Sequence, residues 1–328
     1  MADRHGRTVN YLRLSVTDRC NLACAYCAVR EAPFVPHPLI LRYEELLRMV
    51  DVVRPLGVNK VRFTGGEPFA RKDFAEFVAQ VMARHPDLDV RLTTNATLMR
   101  PHVEALARAG LRRVNISLDT LHPERFAKIT GRDLFHEVLA CIDACQAAGL
   151  MVKVNAVALK GVNDDELPDF LDFARTRALE FRLIEFMPMG CGERWSESSL
   201  WTAKEVLDEA RKLAELTETP REGVDAGPAR VFAIDGGPGR LGVISPMSDH
   251  FCLSCNRIRI TADGRLRPCL FSERSFRLRP ALRNPHLDDA ALTRILRRAL
   301  KRKPVGYELL QRRSQGDVCA TRMSAIGG

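Results

Sequence analysis

Strand-like and helix-like segments alternate six times across the first two-thirds of the chain, and no other feature constrains the fold as much. The strands fall near residues 11–16, 58–63, 89–94, 112–118, 151–158 and 180–185, and helical periodicity covers 42–54, 72–84, 101–109, 134–148, 164–178 and 202–213. Gly57, Gly110 and Gly149 each stand where a helix should stop. Such a series predicts a parallel sheet with right-handed crossovers. Six units are too few for an eight-stranded barrel. The expected fold is therefore α/β, a partial (βα)6 TIM-type barrel over residues 1–213. Residues 214–245 change character, with glycines, prolines and short β-like pieces at 230–234 and 241–245, so 214–328 is expected to form a smaller β-containing C-terminal region.

Within the predicted strands, parity is face. Leu12, Leu14, Val16, Val61, Phe63, Val90, Leu92, Val114, Ile116, Val152 and Val154 share one parity; Arg13, Ser15, Lys60, Arg62, Thr93, Asn95, Asn115, Ser117, Lys153 and Asn155 share the other. If the apolar face packs helices, the polar face lines an interior holding four cations from three strands. Burying them without counter-charge is prohibitive, so a multiply charged anion or water is expected there. In a flat open sheet the same residues would face bulk solvent.

Cys20, Cys24 and Cys27 form C-x3-C-x2-C directly after the first strand, and Cys252, Cys255 and Cys269 form C-x2-C-x13-C. In a chain without signs of an oxidising compartment, such sets point to metal or catalysis rather than disulfides. Zinc wants four ligands, with His37 available to the first set across its loop. A four-iron cubane takes one cysteine per corner, and three cysteines leave one iron open. Two triads in one chain suit two such clusters better than two incomplete zinc sites. Cys141 and Cys145, one helical turn apart, read as core residues, and Cys191 and Cys319 have no assigned role. Further polar motifs follow successive strands, where α/β folds place ligands: Gly65-Gly66-Glu67-Pro68, Thr93-Thr94-Asn95, Ser117-Leu118-Asp119 and Glu185-Phe186-Met187.

At 328 residues with 46% hydrophobic and 28% charged content, the composition is that of a soluble globular protein. No apolar run approaches a membrane span and the start lacks a signal-peptide core, so no membrane partner and a cytoplasmic location are expected. The net charge of +9 is concentrated late: residues 257–313 hold 16 Lys or Arg against 5 Asp or Glu. That asymmetry invites a polyanion. With 6% aromatic residues and no interleaved aromatic tract, a phosphorylated small ligand is expected rather than nucleic acid. Arg294, Arg297, Arg298, Lys301 and Arg302 read as the solvated side of one helix.

The cysteine run with Tyr26 before its third member resembles the radical S-adenosylmethionine (SAM) superfamily. Together with Arg62 to Pro68, Thr-Thr-Asn, Ser-Leu-Asp, Val152-Lys-Val-Asn155, Arg182 to Met187, the second cysteine set with Arg257-x-Arg259 and the terminal Ile326-Gly327-Gly328, it resembles that superfamily's GTP 3′,8-cyclase family from about Tyr11 to the last residue. The resemblance implies that Cys20, Cys24 and Cys27 hold a 4Fe-4S cluster with SAM on its open iron, near Tyr26, Gly65, Gly66, Glu67, Ser117 and Met187. Cys252, Cys255 and Cys269 would hold a second 4Fe-4S cluster facing guanine. Arg13, Lys60, Arg62, Thr93, Lys153, Arg182 and the Arg257-Ile258-Arg259 segment would bind GTP, with Arg257, Arg259, Gly327 and Gly328 serving catalysis and the diglycine as a flexible tail. The implied reaction removes the 3′ hydrogen of GTP and joins that carbon to C8 of guanine, the first step of molybdenum cofactor biosynthesis. It further implies an electron donor, product hand-off to cyclic pyranopterin monophosphate synthase, and a homodimer. Two departures stand out: Cys27 is followed by Ala28-Val29 instead of Met-Pro in a shortened loop, and Ala96 replaces the usual Gly after Thr-Thr-Asn. A radical SAM enzyme acting on a peptide or another small molecule, and a zinc module contacting nucleic acid, remain alternatives.

Overall fold

The structure, a computed structural model, describes residues 1–27, 33–189, 196–220, 227–312, 321 and 323–327. Among these residues twelve strands share one sheet: β1 (Tyr11–Ser15), β2 (Lys60–Thr64), β3 (Asp89–Thr94), β4 (Arg113–Ser117), β5 (Met151–Ala158), β6 (Glu180–Glu185), β7 (Leu216–Thr219), β8 (Arg230–Ile234), β9 (Arg240–Ile244), β10 (Arg257–Ile260), β11 (Arg265–Arg267) and β12 (Phe276–Arg277). Strands β1 to β6 run parallel in chain order, as six βα units require.

The flanks differ from expectation. β10 adds in parallel beside β1, and β9 in parallel beside β6, so eight parallel strands stand together where the sequence predicts six. Beyond them the sheet turns antiparallel, through β11 and β12 on one side and β8 and β7 on the other. β12 and β7 end the order without pairing to each other, and the barrel stays open. The Asp263-Gly264 turn joins β10 to β11 as the hairpin signal predicts.

The crossover helices are α1 (Tyr43–Val53), α2 (Phe74–Arg84), α3 (Val103–Arg108), α4 (Pro123–Thr130), α5 (Phe135–Ala147), α6 (Leu167–Arg175) and α7 (Ala203–Leu213); α8 (Arg279–Arg283), α9 (Asp289–Leu300), α10 (Gly306–Arg312) and α11 (Met323–Ile326) follow the sheet. The eight-residue α4 is absent from the sequence reading because two turns are too short to display a period. It begins on Pro123 and ends at Gly131 with φ 72°. Gly57, Gly110 and Gly149 take positive φ, 91°, 108° and 74°, at the helix ends the sequence assigns them. α9 buries Leu292 and Leu296 and exposes Arg294, Arg297 and Arg298, so that part of the late basic excess is a solvated face.

Parity sorts the side chains as expected. Leu12, Leu14, Val61, Phe63, Leu92, Val114, Ile116, Val152 and Val154 are fully enclosed in the core between sheet and helices, joined by Cys141 and Cys145. The opposite face is also enclosed: Ser15, Lys60, Arg62 and Asn115 are buried. It therefore lines an interior rather than facing bulk water. Among the described residues no helix is long and apolar enough to cross a membrane.

Candidate functional site

Parallel pairing keeps register partners on one face, so the interior can be read row by row. Arg257, Tyr11, Lys60 and Asp89 stand side by side across β10, β1, β2 and β3; one step up come Arg259, Arg13, Arg62 and Arg91. Farther around, Thr93, Asn115, Lys153 and Glu180 share a row across β3 to β6, with Asn155 and Arg182 paired above. Ile258 departs from the expectation: it pairs with Leu12 and its side chain sits in the core, so only the two arginines of that segment face inward.

Among the described residues the inward rows hold more cations than carboxylates. Burial, with Arg259 alongside, brings the Arg13 guanidinium down to about 9. Burial and nearby arginines bring Arg62 to about 9 and Arg259 to about 10. Arg62 donates to Thr93 Oγ1 at 3.3 Å, while its Nε and the Nδ2 of Asn115 are buried without a hydrogen-bond partner among the described residues. The cations are not all uncompensated, as the sequence reading had them. Glu180, also inward, accepts from Lys153 Nζ at 2.7 Å and Arg182 Nε at 2.5 Å, and Asp89 pairs with Arg91 at 2.5 Å. Even so, burial and the repulsion of Arg182 outweigh Glu180 and bring Lys153 down to about 8.

The first triad caps the C-terminal end of β1. Its loop is pinned from two sides. Gly66 N–H and Glu67 N–H donate to Thr17 O and Arg19 O at 2.9 and 2.8 Å, and Ala23 and Ala25 donate to Thr130 O and Ile129 O at the end of α4. A Cβ on Gly65 or Gly66 would run into the carbonyl oxygens of Thr17 and Arg19 respectively. The glycine pair is thus required by the cysteine loop's own backbone, a nearer partner than the ligand the sequence suggests. Glu67 is wholly buried and spends its carboxylate on Thr94 Oγ1 at 2.7 Å, Asn95 N at 2.6 Å and Phe69 N at 3.1 Å, which locks the second motif to the third; burial raises its pKa to about 7. Asn95 Nδ2 in turn reaches Cys20 Sγ at 3.7 Å. Tyr26 donates its hydroxyl to Asp119 Oδ2 at 2.6 Å, and Asp119 Oδ1 accepts from Val157 N. Burial first, then Asp119, Cys27 and Cys20, push the Cys24 thiol up, so the Cys24 sulfur lies close enough to feel the charge of the other two.

The second triad sits at the opposite, N-terminal end of the parallel strands. Cys252 and Cys255 lead into β10, and Cys269 returns to the same end after β11. Gly306 is wedged between two of the sulfurs: a Cβ there would lie 3.1 Å from Cys269 Sγ and 3.2 Å from Cys252 Sγ. Burial works against a Cys255 thiolate, but Arg257 and Lys303 prevail and bring its pKa down to about 6. Among the described residues no three His, Cys, Asp or Glu are drawn together tightly enough for a single ion. A cubane, with a ligand at each corner, asks for a wider set. The five-residue β1 separates the two ends by roughly 15 Å, so the triads close opposite ends of one cation-lined interior.

The C-terminal segment enters that interior. Gly327 is buried, and a Cβ on it would lie 2.6 Å from Thr64 Cγ2 and 3.1 Å from Ser15 Cβ, the inward residues just above the arginine row. Its carbonyl accepts from Arg259 Nη1 at 2.9 Å. A flexible tail is therefore corrected to a seated one as far as Gly327; Gly328, Cys191 and Cys319 lie outside the described residues. Met187 packs against the small cluster of Met189, Phe271 and Ile326, on the tail's side of the chain, and Ser117 stands inward at the top of β4. The sequence reading missed Tyr11, Arg91, Glu180 and Lys303. For Tyr11, Arg91 and Glu180, strand parity was the available signal.

Comparison with known proteins gives the family. Residues 14–174 match the family described as Radical SAM superfamily, and residues 179–309 match Molybdenum Cofactor Synthesis C. Curated relatives named GTP 3′,8-cyclase include proteins of Rhizobium etli, 42% identical over 100% of this chain and 94% of the relative, and Listeria welshimeri, 40% identical over 100% and 99%. A solved structure of Streptococcus suis SuiB bound to precursor peptide SuiA shares the fold at TM-score 0.65 with 14% identity, over 96% of this chain and 77% of that one. The chain belongs to the radical SAM superfamily and, within it, to the GTP 3′,8-cyclase family.

Proposed function

We propose that the chain performs the reaction its relatives are named for, the 3′,8-cyclisation of GTP at the first step of molybdenum cofactor biosynthesis, inside the interior bounded by the two triads. The observation that carries this reading is the surplus of enclosed cations between them. Burial and the repulsion of neighbouring arginines hold Arg13, Arg62 and Arg259 far below ordinary arginine basicity, and a triphosphate supplies several charges and many acceptor oxygens.

As a radical SAM protein the chain works with SAM and an iron–sulfur cluster, and Cys20, Cys24 and Cys27, with Asn95 behind Cys20, suit that role. Bound there, the pair supplies a 5′-deoxyadenosyl radical able to take the 3′ hydrogen of a ribose. Tyr26, fixed by Asp119, and Ser117, Gly65, Gly66 and Met187 would shape the SAM side; Glu67 would hold their backbone in place. We assign Cys252, Cys255 and Cys269 to a second cluster, since Gly306 makes room for its sulfurs and the positive charges of Arg257 and Lys303 favour thiolate at Cys255. Between the triads, Arg13, Lys60, Arg62, Arg259 and Lys153 would bind the phosphates, Thr93 and Arg182 would contact the nucleotide, and Arg257 would lie nearest its base end. The buried Gly327 would close the chamber against water and, with Gly328, leave the reacting atoms one approach.

We divide the work between residues 1–213, which handle SAM, and 214–328, which anchor GTP. An external electron donor, product hand-off to the next enzyme, a homodimer and a cytoplasmic setting complete the proposal. Anaerobic incubation with GTP, SAM and a reductant, followed by mass identification of the product, tests it: a cyclised nucleotide is expected. SAM cleavage that leaves GTP untouched would hand the reading to a different substrate.

A further inference from the structure

Lys303 follows α9 and is 1% exposed. Its ammonium donates to Arg257 O at 2.7 Å, Pro268 O at 2.8 Å and Cys255 Sγ at 3.5 Å, which uses all three of its hydrogens. The two carbonyls belong to different segments, one just past Cys255 and the other immediately before Cys269. A single side chain thus joins both strands of the hairpin that carries the second triad. Arg7 braces the same place from outside, donating to Cys252 O at 2.8 Å, Lys303 O at 3.2 Å and Pro304 O at 3.0 Å while Asp3 Oδ2 holds its Nε at 2.6 Å.

A lysine this deeply buried needs a counter-charge. Among the described residues Lys303 forms no ion pair with a carboxylate, and the negative group within its reach is the thiolate side of the second triad. Arg7 fastens Cys252 and the Lys303–Pro304 backbone; Lys303 fastens the Arg257 and Pro268 carbonyls and, beyond fastening, sets its ammonium against Cys255 Sγ. An added electron on an iron–sulfur cluster is stabilised by positive charge and by hydrogen bonds to its sulfurs.

We propose that Lys303 is a positioning residue for the second cluster: it ties the Cys255 and Cys269 segments together and holds a positive charge against them that makes the cluster easier to reduce. This rests on the reading that the second triad holds a cluster. Iron analysis and a redox titration followed by electron paramagnetic resonance on the anaerobic full chain separate the two ideas, with Cys24→Ser alongside to isolate the second signal. Wild type is expected to hold about eight irons; about four would remove the second cluster and this role with it. Lys303→Gln keeps donors for both carbonyls and loses the charge. It is expected to retain its iron and to reduce its second cluster about tenfold less readily, a shift of roughly 59 mV to lower potential for one electron, while the first cluster is unmoved. Lys303→Arg should restore the wild-type potential. A second-cluster potential unchanged in Lys303→Gln overturns the proposal. Loss of the second cluster's iron alone in that variant overturns it too, because it leaves the lysine as a fastening only.

Discussion

Lys153 shows how the interior trades its own comfort for a ligand. With its pKa brought down to about 8 by burial and Arg182, it carries its proton in the fold only below that pH, whereas in the unfolded chain it stays charged to about 10.4. Between these values the unfolded state binds more protons, so this group's cost to folding is full below pH 8 and fades as pH rises toward 10. Phosphate binding runs the other way, since it wants the ammonium. GTP affinity measured by calorimetry should fall roughly tenfold between pH 7 and pH 9 through this group, and Lys153→Gln should flatten that part of the profile. Arg62, also held down by burial, makes the same point. Set among like charges with one 3.3 Å bond to Thr93, it is expected to be dispensable for folding: Arg62→Met should keep or raise the melting temperature while weakening GTP binding by about ten- to a hundredfold, the worth of a charged hydrogen bond. A melting temperature that drops together with affinity would count against this division. Ala96, where the family usually has Gly, takes φ 65° and is fully buried. The protein carries that alanine in the left-handed region at some cost; a bulkier, β-branched side chain should not be tolerated, and Ala96→Val is expected to lose more than about 2 kcal/mol by chemical denaturation.

Two glycines decide how loops meet the cysteine triads at the level of elements. Gly66 lets the turn after β2 lie against the loop that carries Cys20, and Gly306 at the start of α10 lets Cys252 and Cys269 share one space. The clash a methyl would cause is with backbone in the first case and with sulfur in the second. Gly66→Ala should therefore lose the first cluster's iron and Gly306→Ala the second's, each falling from about eight to about four irons per chain with the far site intact. A variant that empties both sites would mean that the two ends of the barrel are not independent. The sequence shows the first glycine inside a motif. It gives no sign of the second, because Gly306 meets its cysteines only after α9 has brought it back across the N-terminal end of the sheet.

At the scale of the molecule, the proposed division of labour predicts that Cys24→Ser abolishes SAM cleavage, whereas Cys269→Ser retains cleavage and loses cyclisation. Equal loss of both activities in the two variants would contradict it. Removing Gly327 and Gly328 should spare folding and iron content, since the segment follows the last helix, yet lower turnover by taking away the Gly327 carbonyl that Arg259 holds; unchanged turnover would leave the seated tail without a function. The fold was legible where contacts are local. Six strands and the helices α1, α2, α5 and α7 fall within a few residues of their predicted places because period and helix-ending glycines are written in short windows. The parallel docking of β9 and β10 on the flanks of the barrel was not legible, since hydrogen bonding between distant segments leaves no periodic trace.

By itself the sequence determined the chemistry on offer: two cysteine triads, and a set of cations on one parity of strands whose other parity is apolar. Side-chain alternation and residue type are local properties, so they survive without coordinates. Only the tertiary structure decided that the triads close opposite ends of one chamber, that β10 brings Arg257 and Arg259 beside Tyr11 and Arg13, that Glu180 moderates part of the charge, and that Lys303 and Gly306 stand against the second triad. Those outcomes depend on long-range register and on burial, which give a lysine or a glycine its meaning through what is packed around it.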